Sequence, residues 1–137
     1  LADLFEHLDI HCTRDDILEL PVYAGGPVQT GQGLILHSTE QSWQGTYTTR
    51  GALSLTASKD ILEGIAIGEG PKEFLVALGY AGWGPGQLEQ EMLENSWLTC
   101  TAEEEIIFHT PTEQRWTRAA ELVGIDLALL STEMGHA

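Results

Sequence analysis

The sequence predicts an α+β fold carried by a single domain, residues 1–137. Helix-period segments and a β-hairpin occur side by side, without the regular strand–helix alternation of a parallel α/β sheet. Phe74-Leu75-Val76-Ala77-Leu78 is apolar at every position and reads as the central strand, covered on both faces. A chain of 137 residues fits one domain and buries roughly two-thirds of the surface its unfolded form exposes.

The elements follow in order. Leu1, Leu4, Phe5 and Leu8 keep helical spacing, so the sequence opens inside an amphipathic helix. Pro21-Val22-Tyr23 is a short extended piece turned by Gly25-Gly26-Pro27, and Leu34-Ile35-Leu36-His37 reads as a buried strand. Thr46 to Thr49 and Leu53 to Thr56, separated by Arg50-Gly51, read as a β-hairpin. Ser58 fits the N-cap of a helix carrying Ile61, Leu62 and Ile65 and closed by Gly68. A helix from about Gly86 to Asn95 precedes an extended Trp97-Leu98-Thr99-Cys100. Ala102 to Phe108 reads as a short helix or a turn. Thr110-Pro111-Thr112-Glu113 has the pattern of a capping box with proline at the first helical position. Trp116, Ala119, Ala120 and Val123 then mark a buried face, and Gly124 occupies the C′ position.

Charge narrows the function. Asp and Glu number 21 against 6 Lys and Arg, a net charge of −15. Such a surface repels nucleic acid, whose affinity for proteins comes from Lys and Arg displacing counterions, and it repels anionic membrane faces. Thr112 to Val123 carries only Arg115 and Arg118 as bases, too few for a DNA-reading helix. No apolar run reaches the roughly 20 residues needed to cross a bilayer. Cys12 and Cys100 lie far apart and form no CxxC, the pattern of reduced thiols in a cytoplasmic protein.

"GYAGWGPGQLEQEMLENSWLTC", Gly79 to Cys100, opens on a loop with the look of a phosphate cradle. The chemistry opposes that use. No Lys or Arg lies between Lys72 and Arg115, and Glu89 and Glu91 occupy the first turns of the helix, where a phosphate would meet carboxylates. Gly82, Gly84 and Gly86 with Pro85 instead suit a tight strand-to-helix turn. Leu88, Met92 and Leu93 are expected to point inward, with Gln87, Gln90, Glu91 and Glu94 as a polar stripe. Tyr80 and Trp83 beside that stripe suit recognition of a partner. The candidate binding surface is therefore Gly25, Gly26, Pro27, Tyr80, Trp83, Gln87 and Glu91, facing a basic protein surface or a small polar ligand.

Catalytic patterns are sparse. GxSxG, HExxH and SxxK are absent, and no cofactor motif is present. His7, His11 and Cys12 would share a helix end only if the first helix ran through Cys12, and they lack a fourth metal donor. The competing function is a hydrolase or thiol-dependent enzyme using Cys100 or His37, with His136 a further candidate base. Glu103, Glu104 and Glu105 lie just downstream of Cys100 and oppose a reactive thiolate there. His37, at a strand end, also fits hydrogen-bonded scaffolding.

Four stretches carry a resemblance. "VYAGGPVQTGQGLILHS", "LTASKDILEGIAIGEGP", "LGYAGWGPGQLEQEMLENSWLT" and the terminal "GHA" resemble, in order and spacing, the YqgE/AlgH family of bacterial proteins. The resemblance implies an α+β fold whose bent mixed or antiparallel sheet forms a pseudo-barrel with packed helices. It carries the label of a transcriptional regulator, tied to alginate regulation in Pseudomonas-type bacteria, without a settled biochemical activity. Full-length members are similar but begin about 50 residues earlier, and without those first strands a sheet edge and apolar surface would be left open. Self-association of this chain is the corresponding expectation.

Overall fold

The computed structural model describes residues 1–125. Gly135-His136-Ala137 lies outside them. The chain divides into two compact units, Leu1–Gly82 and Trp83–Ala137.

The first unit contains α1 (Ala2–His7), α2 (Asp15–Leu18), β1 (Val22–Ala24), β2 (Val28–Ser38), β3 (Tyr47–Thr48), β4 (Leu53–Thr56), α3 (Lys59–Ala66) and β5 (Phe74–Tyr80). Its five strands form one curved, mixed sheet in the order β1-β5-β2-β4-β3. The expected α+β class holds, and the sheet stays open, with β1 and β3 at its edges. β2 is the middle strand, antiparallel to both β4 and β5, whereas β1 runs parallel to β5. The apolar strand expected at the centre is therefore its neighbour, β5. The hairpin forms as read, with Tyr47 opposite Leu55 and Thr48 opposite Ser54.

Register explains the core. Ile35 pairs with Val76 and with Thr56, and His37 pairs with Phe74 and Ser54. In an antiparallel ladder, paired residues share a face, so these side chains line one side of the sheet. Phe5 of α1, Ile17 of α2 and Ile61, Leu62, Ile65 and Ala66 of α3 pack with Ile35 and Val76 into the buried cluster. All three helices contribute to this one face. Along β5, Val76 and Gly79 are buried and the other five residues are half-buried, so no residue of this strand is exposed, in keeping with its apolar sequence.

The second unit contains α4 (Gln87–Leu93), a π-helical turn (Glu105–His109) and α5 (Thr112–Leu122). Trp97 to Cys100, expected to be extended, lies in no helix and pairs with no strand among the described residues. Thr110 does not cap α5 with its side chain. Its hydroxyl donates instead to the Glu105 carbonyl at 2.9 Å and closes the π turn, while Arg115 Nε donates to the Thr110 carbonyl at 2.9 Å. Of the face expected to be buried on α5, Ala120 is buried and Trp116 is 75% exposed. Within this unit only Ala120 and Thr110 are buried among the described residues, too little apolar burial to form a core.

Helix ends in both units share one device. After α1, α3, α4 and α5 the next-but-one residue takes a left-handed backbone: Asp9, Gly68, Asn95 and Gly124. In each case its N–H and the following N–H turn back onto the last turn's carbonyls, as in Gly68 to Ile65 at 3.0 Å and Glu69 to Gly64 at 2.9 Å. The two glycines are legible from sequence, and Asp9 and Asn95 serve the same purpose. Ser58 is the N-cap residue of α3, as expected, with an extended backbone, but the bond that caps the helix is made by Asp60. Ser58 makes no cap bond to the backbone and donates to Asp60, whose carboxylate accepts Ile61 N–H and Gln44 N–H, both at 2.9 Å.

Ile61 has no exposure and belongs to the core cluster that helices and sheet share. Ile61→Ala is expected to lower unfolding free energy by about 2–5 kcal/mol, read by urea denaturation. A loss below about 1 kcal/mol would contradict this placement of the core.

Candidate functional site

The candidate binding residues fall into two sets. Gly25, Gly26, Pro27 and Tyr80 belong to the first unit, and Trp83, Gln87 and Glu91 to the second. The structure brings together the members of each set.

In the first set the backbone governs. Gly25 N–H donates to the Leu78 carbonyl at 2.7 Å, extending the β1–β5 pairing by one residue. A Cβ at Gly25 would run into the Gly79 carbonyl, and one at Gly26 into the Tyr80 carbonyl group. The glycine pair thus permits a backbone-on-backbone approach that side chains forbid. Pro27 then leads into β2, where Val28 stands opposite the half-buried Tyr80. Four of the sequence-derived candidates are therefore explained by the turn they build.

The second set is a polar knot centred on Glu91. Its Oε2 accepts the indole N–H of Trp97 at 2.7 Å and that of Trp83 at 3.0 Å, and its Oε1 accepts Gln87 Nε2 at 3.2 Å. Gln87 in turn accepts the Gly84 N–H at 3.0 Å through Oε1. The two indoles meet edge to face, with centroids 5.8 Å apart and planes at 75°, a preferred aromatic geometry. The knot joins the loop before α4, the helix itself and the segment after it. The Gly84 amide, which a phosphate cradle would need, is already occupied. Trp97 is the member sequence reading missed. It lies in the segment read as extended, past the end of α4, so helical periodicity does not link it to Glu91 six residues earlier.

Hydrogen bonds from Trp97 first, then Trp83 and Gln87, hold the Glu91 carboxyl below the usual glutamate range. These donors stabilise the charged form, so the folded-state pKa lies under the unfolded value. The knot's contribution is complete above the unfolded glutamate value, about pH 4.3, and disappears as pH falls through the lower folded value.

The catalytic alternatives have a different geometry. His37 has no exposure. Its Nδ1 meets the Ser38 carbonyl at 2.7 Å and its Nε2 meets Thr56 Oγ1 at 2.8 Å, so both ring nitrogens are engaged inside the fold. Cys100 is exposed and lines two grooves, one of about 110 Å³ with Leu98, Trp116, Ala119 and Ala120 and one of about 570 Å³ with Thr101, Glu103 and Leu122. Glu103 is the acid–base group lining them, and no positive charge that would favour a thiolate lines either. α1 ends at His7, so His7, His11 and Cys12 do not share one helix. No group of three potential metal ligands occurs among the described residues, and no helix among them is long and apolar enough to cross a membrane.

The indole N–H resonances of Trp83 and Trp97 should move together in NMR spectra as pH falls below about 4. The corresponding signals of Glu91→Gln should lack that acid step. Indole signals in the native protein that ignore acidification until global unfolding would contradict the knot.

Comparison with known proteins places this architecture. The family model described as AlgH-like, DUF179, matches residues 1–128. The chain is 49% identical over 137 residues to a UPF0301 protein of Thioalkalivibrio sulfidiphilus, covering all of this chain and 73% of that one. It is likewise 49% identical to a UPF0301 protein of Ralstonia nicotianae, covering 72% of that relative. The solution structure of the AlgH protein from Pseudomonas aeruginosa superposes with a TM-score of 0.78 at 43% identity, over all of this chain and 72% of the other. With the sequence match spanning nearly the whole chain and the fold agreeing, this protein belongs to the AlgH-like family.

Proposed function

We propose that the protein is a non-catalytic binding or regulatory module that acts in the cytoplasm through a protein partner or a small polar ligand. The observation that carries this reading is the Glu91 knot, a rigid aromatic surface in an acidic setting. Trp83 and Trp97 are fixed by hydrogen bonds yet remain 40% and 49% exposed. Aromatic groups held in one conformation bind at low entropic cost, which is why they dominate interface hot spots. Glu89, Glu94, Glu103, Glu104 and Glu105 lie on the same unit and favour a basic partner over a polyanion. A regulatory effect on transcription would then run through a protein, since −15 charges oppose direct DNA contact.

Affinity capture at physiological salt tests the reading. The native chain should retain a partner that Trp83→Ala retains at least severalfold less, with the melting midpoint moved by about 2 °C or less. Equal capture by both, or tight salt-sensitive binding of duplex DNA, would overturn it.

Self-association is proposed on separate grounds. Leu93, Trp116 and Leu98 are 79%, 75% and 65% exposed, and solvent-facing apolar side chains in such number favour association. Light scattering of this chain should return a mass of two or more copies. A monodisperse monomer across the micromolar range would contradict it.

A further inference from the structure

The Glu91 knot is a corner as well as a surface. Both indoles send their N–H groups to the same oxygen, Trp97 at 2.7 Å and Trp83 at 3.0 Å, so the two rings converge on Glu91 Oε2. Their planes stand 75° apart, with centroids separated by 5.8 Å. In an edge-to-face pair one ring covers a single face of the other, and the ring that presents its edge keeps both of its own faces clear of its partner. Both side chains are exposed, so indole faces are open to solvent beside a carboxylate.

Counting acceptor positions shows what such a corner takes. A carboxylate offers about four lone-pair sites. The two indoles fill those of Oε2, and Gln87 Nε2 takes one on Oε1 at 3.2 Å, which leaves one on Oε1. Glu94, three residues on, shares this side of α4 and adds a second negative charge while its Oε1 accepts Gln90 Nε2 at 3.0 Å. An indole that donates its N–H to an anion gains electron density in its ring, which strengthens its attraction for a cation over the face. The neighbouring chain supplies no such cation: no Lys or Arg lies between Lys72 and Arg115, and Arg115 gives its Nε to the Thr110 carbonyl. An ammonium would bring three donors and a firmly held hydration shell. A guanidinium is planar and weakly hydrated, and it lies flat on an aromatic ring while its N–H groups point outward in its own plane. One open acceptor beside an aromatic face suits the guanidinium.

We infer that the Trp83–Trp97 corner, closed by Glu91, is a receptor for an arginine side chain of a partner protein. The guanidinium stacks on an open indole face and donates one N–H to Glu91 Oε1, with Glu94 reinforcing the negative field. This rests on the knot being the binding surface and adds which group of a basic partner it recognises. The hydrogen bonds from both indoles and from Gln87 exist before the arginine arrives, so the corner is set in advance and little side-chain freedom is lost on binding. The same carboxylates repel phosphate, which rules against a nucleic acid or an anionic headgroup as the occupant.

Titration of the ¹⁵N-labelled native chain with an end-blocked Gly-Gly-Arg-Gly-Gly peptide tests the corner, against counterparts carrying lysine or citrulline in place of the arginine. The indole N–H signals of Trp83 and Trp97 should move along one saturating curve, while those of Trp43 and of the exposed Trp116 stay in place. Citrulline keeps the planar shape and loses the charge, so it should bind about tenfold more weakly, and lysine severalfold more weakly. Glu91→Gln leaves an acceptor for the indoles and removes the charge, and it should weaken the arginine peptide severalfold. Equal binding of arginine with lysine or with citrulline, movement of Trp116 as large as that of Trp83, or unchanged affinity in Glu91→Gln would each overturn the inference. If Glu91→Gln loses the knot itself, seen as the two indole signals collapsing together, the three peptides on the native chain still decide. A chain that captures a partner through Trp83 yet ignores the arginine peptide would refute the corner and leave the binding-module reading standing.

Discussion

The antiparallel pairing of β2 with β5 is the constraint on which the first unit depends. Opposing Ile35 to Val76 assigns every other side chain of both strands to a face. A slip of one residue would send His37 to the opposite face and place Leu34 and Leu36 against α3. The observed register sets Ile35 and Val76 beneath three helices and encloses His37 between β4 and β5. It also brings the end of β5 alongside the Gly25-Gly26 turn, where two backbones touch without side chains between them. Core and buried histidine are thus two consequences of one pairing, and the glycine turn, which continues the β1–β5 ladder, meets the same strand.

The second unit is organised by a different principle. Its described residues bury almost nothing, and polar contacts hold its segments in place. Glu91 gathers two indoles and an amide, Thr110 closes the π turn, and Arg115 ties α5 back to that turn. Such contacts fix direction well but each contributes modestly to stability, because water competes for the same groups. Apolar side chains that helical spacing marks as inward, Leu93 and Trp116 above all, face solvent. Amphipathic spacing tells which side of a helix seeks cover, and it cannot tell whether the same chain supplies that cover.

That distinction separates what the sequence made legible from what it did not. α3 was legible because Ile61, Leu62 and Ile65 keep helical spacing and Gly68 ends the run. The hairpin was legible because Arg50-Gly51 interrupts two strand-like segments. The order of strands was not, since β5 is uniformly apolar for a reason local sequence cannot show: it lies between two other strands. The Glu91 knot was half legible. Trp83, Gln87 and Glu91 stood out by composition and spacing, whereas Trp97 joined them only through the chain reversal after α4 at Asn95. Glycines 25 and 26 drew attention as a binding turn, and their burden is the close approach of two backbones.

The measurement that tests this account most directly is strand register in solution, from cross-strand nuclear Overhauser contacts in the labelled chain. Ile35 should contact Val76 on one side and Thr56 on the other, with His37 correspondingly opposite Phe74 and Ser54. Contacts that instead join Val76 to Leu34 or Leu36 would displace the core, expose the histidine and contradict the account.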